Sequence, residues 1–228
     1  MATITLRVLD GADRGRVFDR LSPPITIGRE EGNSIQLNDD RVSRYHLKIQ
    51  EDGQQLVLTD LESTNGTRVN GEDVQLRILR HGDLITLGRT VLLFGSRDEI
   101  AQRLATIRDL TGPLENAADS SDLERIRNAS SLDFELNWRN DPDLQATLHV
   151  LHPPEPPGRL TPGQAAQLSE LIEYLHIRVR RLLASAEMQE QPAPGRVLLD
   201  QRGWQSLVDI QSQLAGYLAS IGNPRDPE

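Results

Sequence analysis

The chain has 228 residues, no cysteine and a formal net charge of −9. That length allows one large domain or two small ones, and 37% hydrophobic with 26% charged residues argues for packed cores rather than a disordered chain. The acidic balance speaks against a nucleic-acid coat or a binder of anionic membranes, the missing cysteines exclude disulfides and thiolate metal sites, and no apolar run approaches the ~20 residues that span a bilayer.

The chain opens with Met1-Ala2-Thr3-Ile4-Thr5-Leu6. This start has neither the basic nor the long apolar region of a signal peptide, so a cytoplasmic location is expected. Ile4, Leu6 and Val8 alternate with polar residues, as a half-buried strand does. Asp10-Gly11 and Arg14-Gly15 supply turn signals ahead of a second short run, Arg16 to Phe18. Ile25-Thr26-Ile27 follows Pro23-Pro24 as another strand. His46 to Gln50 and Gln55 to Thr59 flank Asp52-Gly53, which predicts a hairpin. Asn70-Gly71 and His81-Gly82-Asp83 punctuate later strands, and Thr90 to Phe94 closes the series. Many short strands between Gly, Asn and Asp turns predict an all-β sandwich or barrel.

The pattern changes after Ser96. Ile100, Leu104 and Ile107 recur at helical spacing, which predicts a helix over Asp98 to Leu110, stopped by Thr111-Gly112-Pro113. Asn116 to Ser121 reads as a linker. Leu132, Phe134, Leu136 and Trp138 alternate, as do Leu144, Ala146, Leu148 and Val150, with Arg139 to Asp143 as a turn, so a β-hairpin is expected. After the stiff Pro153 to Gly158 connector, Thr161-Pro162 starts a helix running to about Glu187. Its stripe of Leu168, Ile172, Leu175, Val179, Leu182 and Ala186 steps by four and three. That stripe reads either as a coiled-coil seam that dimerises the protein or, favoured because Leu171 and Leu183 widen it, as the inner face of a small α+β domain. Arg178, Arg180 and Arg181 form a basic cluster on this helix. Pro192 to Gly195 is a second breaker, and Arg196 to Leu199 a short run. Asp200 caps a last helix with Trp204, Leu207, Val208, Gln211, Leu214, Leu218 and Ile221 along one side. The expected organisation is a domain over 1–96, helix and linker over 97–130, an α+β domain over 131–222 and a tail over 223–228.

Three polar signatures interrupt the early strands: Gly28-Arg29, then Ser43-Arg44-Tyr45-His46, then Ser63-Thr64-Asn65-Gly66-Thr67 leading to Val69-Asn70-Gly71. Their order, spacing and identity resemble the forkhead-associated (FHA) domain, a phosphothreonine-binding module, over roughly Thr3 to Ser96. The resemblance implies an FHA-type sandwich of two antiparallel sheets with its binding loops at one end, followed here by a smaller, mainly helical α+β domain that resembles no family. It implies that Arg29 contacts the phosphate and Gly28 lets the backbone turn, that Ser43 donates its hydroxyl and Arg44 adds a second cation, and that Thr64 and Asn65 grip the phosphothreonine methyl region and the peptide backbone. His46, Gly66 and Asn70 are implied as supports of the loops. Arg41 lies in the loop that often reads the residue three places after the phosphothreonine, where it favours Asp or Glu. A phosphothreonine carries nearly two negative charges and three strong acceptors, and guanidinium groups suit it.

Taken singly, each residue has a plainer reading: a strand-end Arg is usually a solvated charge, a turn Ser or Asn serves the turn, and a lone His is more often structural. The constellation carries the case. The remaining histidines, His149, His152 and His176, sit in no catalytic or metal-binding spacing, and no Gly-rich phosphate loop occurs. The expectation is a non-catalytic adaptor without cofactor or metal, whose partners are a phosphothreonine-containing protein and a Ser/Thr-kinase system, with no nucleic acid, no membrane and a homodimer through the C-terminal helices held open. Two alternatives stand beside it: an assembly or scaffold protein using the FHA fold independently of phosphate, and an FHA sensor joined to an unrecognised effector domain. Thr106, with Asp109 three residues on, raises self-docking after phosphorylation.

Overall fold

The computed structural model describes residues 3–111, 148, 156–158, 160–189 and 196–222. The chain divides into two compact units, Met1–Leu151 and His152–Glu228, and each is described by itself.

The first unit is a two-sheet sandwich. Its strands are β1 (Ile4–Asp10), β2 (Val17–Leu21), β3 (Ile25–Gly28), β4 (Ile35–Gln36), β5 (Leu47–Asp52), β6 (Gln55–Asp60), β7 (Thr67–Val69), β8 (Glu72–Val74), β9 (Leu76–Ile78), β10 (Leu84–Leu87) and β11 (Thr90–Phe94). One sheet has the order β2-β1-β11-β10-β7-β8 and the other β4-β3-β5-β6-β9. The strand pairings of the two sheets are antiparallel except β3 with β4, so the second sheet is mixed rather than purely antiparallel. The two-residue β4 was not legible because it is too short to show a period. The β5–β6 turn is centred on Gly53 and Gln54, with Asp52 paired to Gln55, one residue later than the Asp52-Gly53 expectation.

Alternation puts one residue of each pair inward. Ile4, Leu6 and Val8 from β1 and Ile85, Leu87, Leu92 and Phe94 from β10 and β11 meet Ile25, Ile27, Leu47, Ile49 and Leu58 from the other sheet in one buried core. Fully burying a side chain of this size contributes roughly 1.5–3 kcal/mol. This rigid core fixes where the strand ends, and hence the loops between them, emerge.

Helix α1 (Arg97–Thr111) follows β11. Ser96 and Glu99 form a reciprocal cap: the Ser96 N–H donates to Glu99 Oε2 at 2.7 Å and the Glu99 N–H to Ser96 Oγ at 3.3 Å. Ile100, Ala101, Leu104 and Ile107 pack with Leu9, Leu93 and Leu148 in a second buried cluster. Arg103 donates to the His81 carbonyl at 2.6 Å and to the Leu148 carbonyl at 2.7 Å, with Asp83 3.7 Å away. Thr106 lies inside α1 and donates its hydroxyl to the Gln102 carbonyl, so presenting it as an extended peptide requires unwinding the helix.

The hairpin expected over 132–150 and the linker over 116–121 lie outside the described residues, apart from Leu148. Leu148 is helical and fully buried, against the strand expected there. Leu144, Leu148 and Leu151 are also spaced by four and three, a helical period hidden under the alternation.

The second unit contains α2 (Pro162–Ala184), β12 (Glu187–Gln189), β13 (Arg196–Leu198) and α3 (Gln201–Gly222). Thr161 and Gln164 form a capping box and Pro162 opens the helix, as expected. The helix stops at Ala184 with Ser185 as its C-cap, three residues before Glu187, which instead pairs with Leu198 in the β12–β13 ribbon. Asp200 Oδ1 accepts from the Gly203 N–H at 2.7 Å, capping α3 as expected. Tyr174 donates its hydroxyl to Gln213, and Arg178 reaches Ser206 Oγ at 3.4 Å, tying α2 to α3. The tail over 223–228 lies outside the described residues. Among those described, no helix is long and apolar enough to cross a membrane.

Candidate functional site

Three loops meet at one end of the sandwich. The β3–β4 loop starts at Arg29, the β4–β5 loop carries Arg41 to Tyr45, and the β6–β7 loop carries Glu62 to Gly66. Between them lies an open cleft of about 770 Å³ whose lining includes Arg29, Arg41, Ser43, Arg44, Thr64 and Asn65. The structure thus brings together all six residues that the sequence singles out as ligand-facing. Tyr45, half exposed, and the acidic Glu30, Asp40 and Glu62 complete the wall.

Backbone hydrogen bonds hold the loops in place. The Arg29 N–H donates to the Ser43 carbonyl at 3.1 Å and the Glu30 N–H to the Arg44 carbonyl at 3.2 Å. Ser43 Oγ accepts from the Thr64 N–H at 3.0 Å, and Asn65 Nδ2 donates to the Arg41 carbonyl at 2.6 Å. Arg29, Arg41 and Arg44 are exposed, and none of their guanidinium groups forms an ion pair within the described residues. Three exposed guanidinium groups beside the Ser43 hydroxyl are the donor chemistry that suits a doubly charged oxyanion, and Glu30, Asp40 and Glu62 share the wall with them.

His46 lies beneath the cleft, fully buried. Its Nδ1 accepts from the Ser43 N–H at 3.0 Å, which leaves Nε2 protonated and 3.3 Å from the Gly66 carbonyl it donates to. This neutral tautomer links the Ser43 loop to the Thr64 loop. Burial pushes the imidazole below its ordinary range, while Asp60, 3.9 Å from Nε2, pulls only partly in the other direction.

Gly28 is required for a reason other than the turn expected of it. A β-carbon there would stand 2.1 Å from the Arg44 carbonyl oxygen and 2.8 Å from Asn33 Nδ2; the β4–β5 loop is pressed against the end of β3. Asn70 sits away from the cleft. Its side chain donates to Asp83 at 3.0 Å and accepts from the Leu84 N–H at 2.8 Å, which fixes the β7–β8 turn to the β10 strand.

Three supports escaped the sequence reading. Asp60 accepts from the Ser63 N–H at 2.8 Å, the Ser63 hydroxyl at 2.6 Å and the Thr67 hydroxyl at 2.5 Å. Its place three residues before Ser63 is the available signal, an Asx-type turn. Asp39 accepts from the Arg41 and Arg89 N–H groups and the Thr90 hydroxyl. Burial would raise its pKa, but these donors outweigh burial and hold the carboxyl below its usual range. Asn33 bridges the Glu30 and Arg44 carbonyls, and nothing in its local sequence announces that.

Comparison with known proteins agrees with this picture. Residues 25–88 match the family model described as FHA domain. The chain is 42% identical over 91 residues to the FHA domain-containing protein FhaA of Mycobacterium tuberculosis, covering 40% of this chain and 17% of FhaA. It is 35% identical over 89 residues to the glycogen accumulation regulator GarA of Mycolicibacterium smegmatis, covering 39% of this chain and 56% of GarA. It therefore spans less than two thirds of either relative. Among solved structures, the FhaA FHA domain complexed with the intracellular domain of Rv3910 is 41% identical, covering 41% of this chain and all of that one, with a TM-score of 0.38.

Proposed function

With residues 25–88 forming an FHA domain, we propose that the protein is a non-catalytic, cytoplasmic adaptor that binds a phosphothreonine on a partner modified by a Ser/Thr kinase. The observation that carries this reading is the convergence of Arg29, Ser43, Arg44 and Thr64 on one cleft, with the guanidinium groups of Arg29, Arg41 and Arg44 forming no ion pair among the described residues. In this reading Arg29 and Arg44 hold the phosphate oxygens, the Ser43 hydroxyl completes the donor set, and Thr64 and Asn65 grip the phosphothreonine methyl region and the peptide backbone. Arg41 faces the same cleft and favours an acidic residue three places after the phosphothreonine. A phosphatase reverses the interaction by removing the group that the cleft recognises.

The test is binding of the full chain and of Arg29→Ala to phosphothreonine peptides, with unphosphorylated and phosphoserine peptides as controls. Hydrogen bonds to charged groups contribute about 1.5–3 kcal/mol, so Arg29→Ala weakens the phosphothreonine complex by about 10- to 150-fold. Equal affinity in the variant overturns the reading and leaves a phosphate-independent scaffold. Because Arg29 is exposed and its guanidinium forms no ion pair among the described residues, stability stays within about 0.5 kcal/mol of wild type.

A further inference from the structure

Helix α3 carries two different sides. The side that meets α2 bears Gly203, Ser206, Ile210 and Gln213; Gly203 and Ile210 are its buried residues, and Ser206 and Gln213 bond to α2. The other side is a strict seam at Trp204, Leu207, Gln211, Leu214, Leu218 and Ile221, stepping three, four, three, four, three. This is the a/d spacing of a coiled-coil face. It is uncovered: Trp204 is 60% exposed, Leu218 69% and Ile221 59%. A monomer that leaves five large apolar side chains in one stripe in water is unusual, whereas scattered exposed leucines are not.

We propose that this seam is a self-association surface and that its occupant is the same seam of a second copy of the chain. Three observations favour a second copy. First, none of the six seam residues is charged, so two copies meet without like-charge repulsion, and a strongly charged partner finds no complement there. Second, the five apolar seam residues and Val208 are 38–69% exposed, on the order of 600 Å² per copy, so complete burial of both seams removes at most about 1,200 Å², the lower edge of a stable interface. Third, the single polar position, Gln211, lies near the middle of the seam. An amide both donates and accepts, so in register it is satisfied by the Gln211 of an identical chain, as polar residues at a positions do when they fix register. Pairing doubles the number of clefts per particle. On a partner with two phosphorylated threonines the second contact then becomes intramolecular, a consequence that rests on the function proposed above, whereas the pairing itself does not.

Sedimentation equilibrium of the full chain, from low to high micromolar, tests the proposal without any phosphopeptide. The expected mass at the upper end is twice 25.5 kDa. Leu218→Glu and Leu214→Glu each place like charges in the seam and weaken dimerisation at least tenfold, while Ser212→Glu, on the opposite side of α3, leaves it unchanged. Circular dichroism accompanies each variant, and retained helical signal shows that loss of pairing is not loss of folding. A wild-type monomer throughout the range overturns the proposal, as does a dimer that neither seam substitution weakens.

Discussion

The sandwich and the helical unit bury their apolar residues to very different degrees. In the first unit Ile4, Leu6, Ile27, Leu47, Ile49, Leu58, Ile85 and Leu87 are completely or almost completely inaccessible, and a second cluster seats α1 on the same unit. In the second, α2 has no buried residue and α3 has only Gly203 and Ile210. The difference teaches where each unit meets its surroundings. A closed sandwich leaves polar loop ends as its working surface, and three of those loops form the cleft. A helix pair with so little buried leaves its best apolar seam exposed, the surface proposed above for pairing.

The comparison can be broken hardest at Gly28. Gly28→Ala drives a β-carbon into the Arg44 carbonyl, and overpacking against rigid backbone costs about 3 kcal/mol or more. Chemical denaturation of the variant should show the sandwich transition displaced while hydrogen exchange in α2 and α3 stays as in wild type. Loss of protection in both units together would show that they fold as one.

A smaller effect comes from pH. The folded-state pKa of His46 lies below its ordinary value of 6.5, so the unfolded chain binds more protons than the folded one between those two values. Stability therefore rises with pH in that window: it is fully present above about 6.5 and falls on acidification toward the depressed folded value. His46→Gln, which cannot titrate, removes that slope in urea titrations measured as a function of pH. An unchanged slope would place its origin in another group. The smallest effect is at the capping box: Thr161→Ala costs about 1 kcal/mol, read as faster exchange in α2 with the sandwich unaffected.

Much of this protein is written locally. The alternation of Ile4, Leu6 and Val8 and of Ile25 and Ile27, the Thr161-Pro162 start and the Asp200 cap depend on neighbours within a few residues, so their elements were legible. Ser96 and Glu99 carry an equally local cap signature, one that helical periodicity does not reveal. The polar signatures from Arg29 to Asn65 identified the cleft residues because their combination is far more specific than any member. By contrast, Leu144 to Val150 fits two periods, and the helical state of Leu148 came from the tertiary structure, where it packs with Ile100 and Leu104 and its carbonyl accepts from Arg103.

The sequence by itself determined the strand-and-turn grammar of the first unit, the starts of the last two helices and the identity of the cleft's polar groups, because short-range sterics and side-chain chemistry act between near neighbours. Only the tertiary structure decided that Gly28 is needed for a close approach by a loop 16 residues on, that Asp60 and His46 brace the loops from below, and which side of α3 is left uncovered. Those outcomes depend on contacts between residues distant in the chain, and no local pattern encodes which surface arrives opposite which.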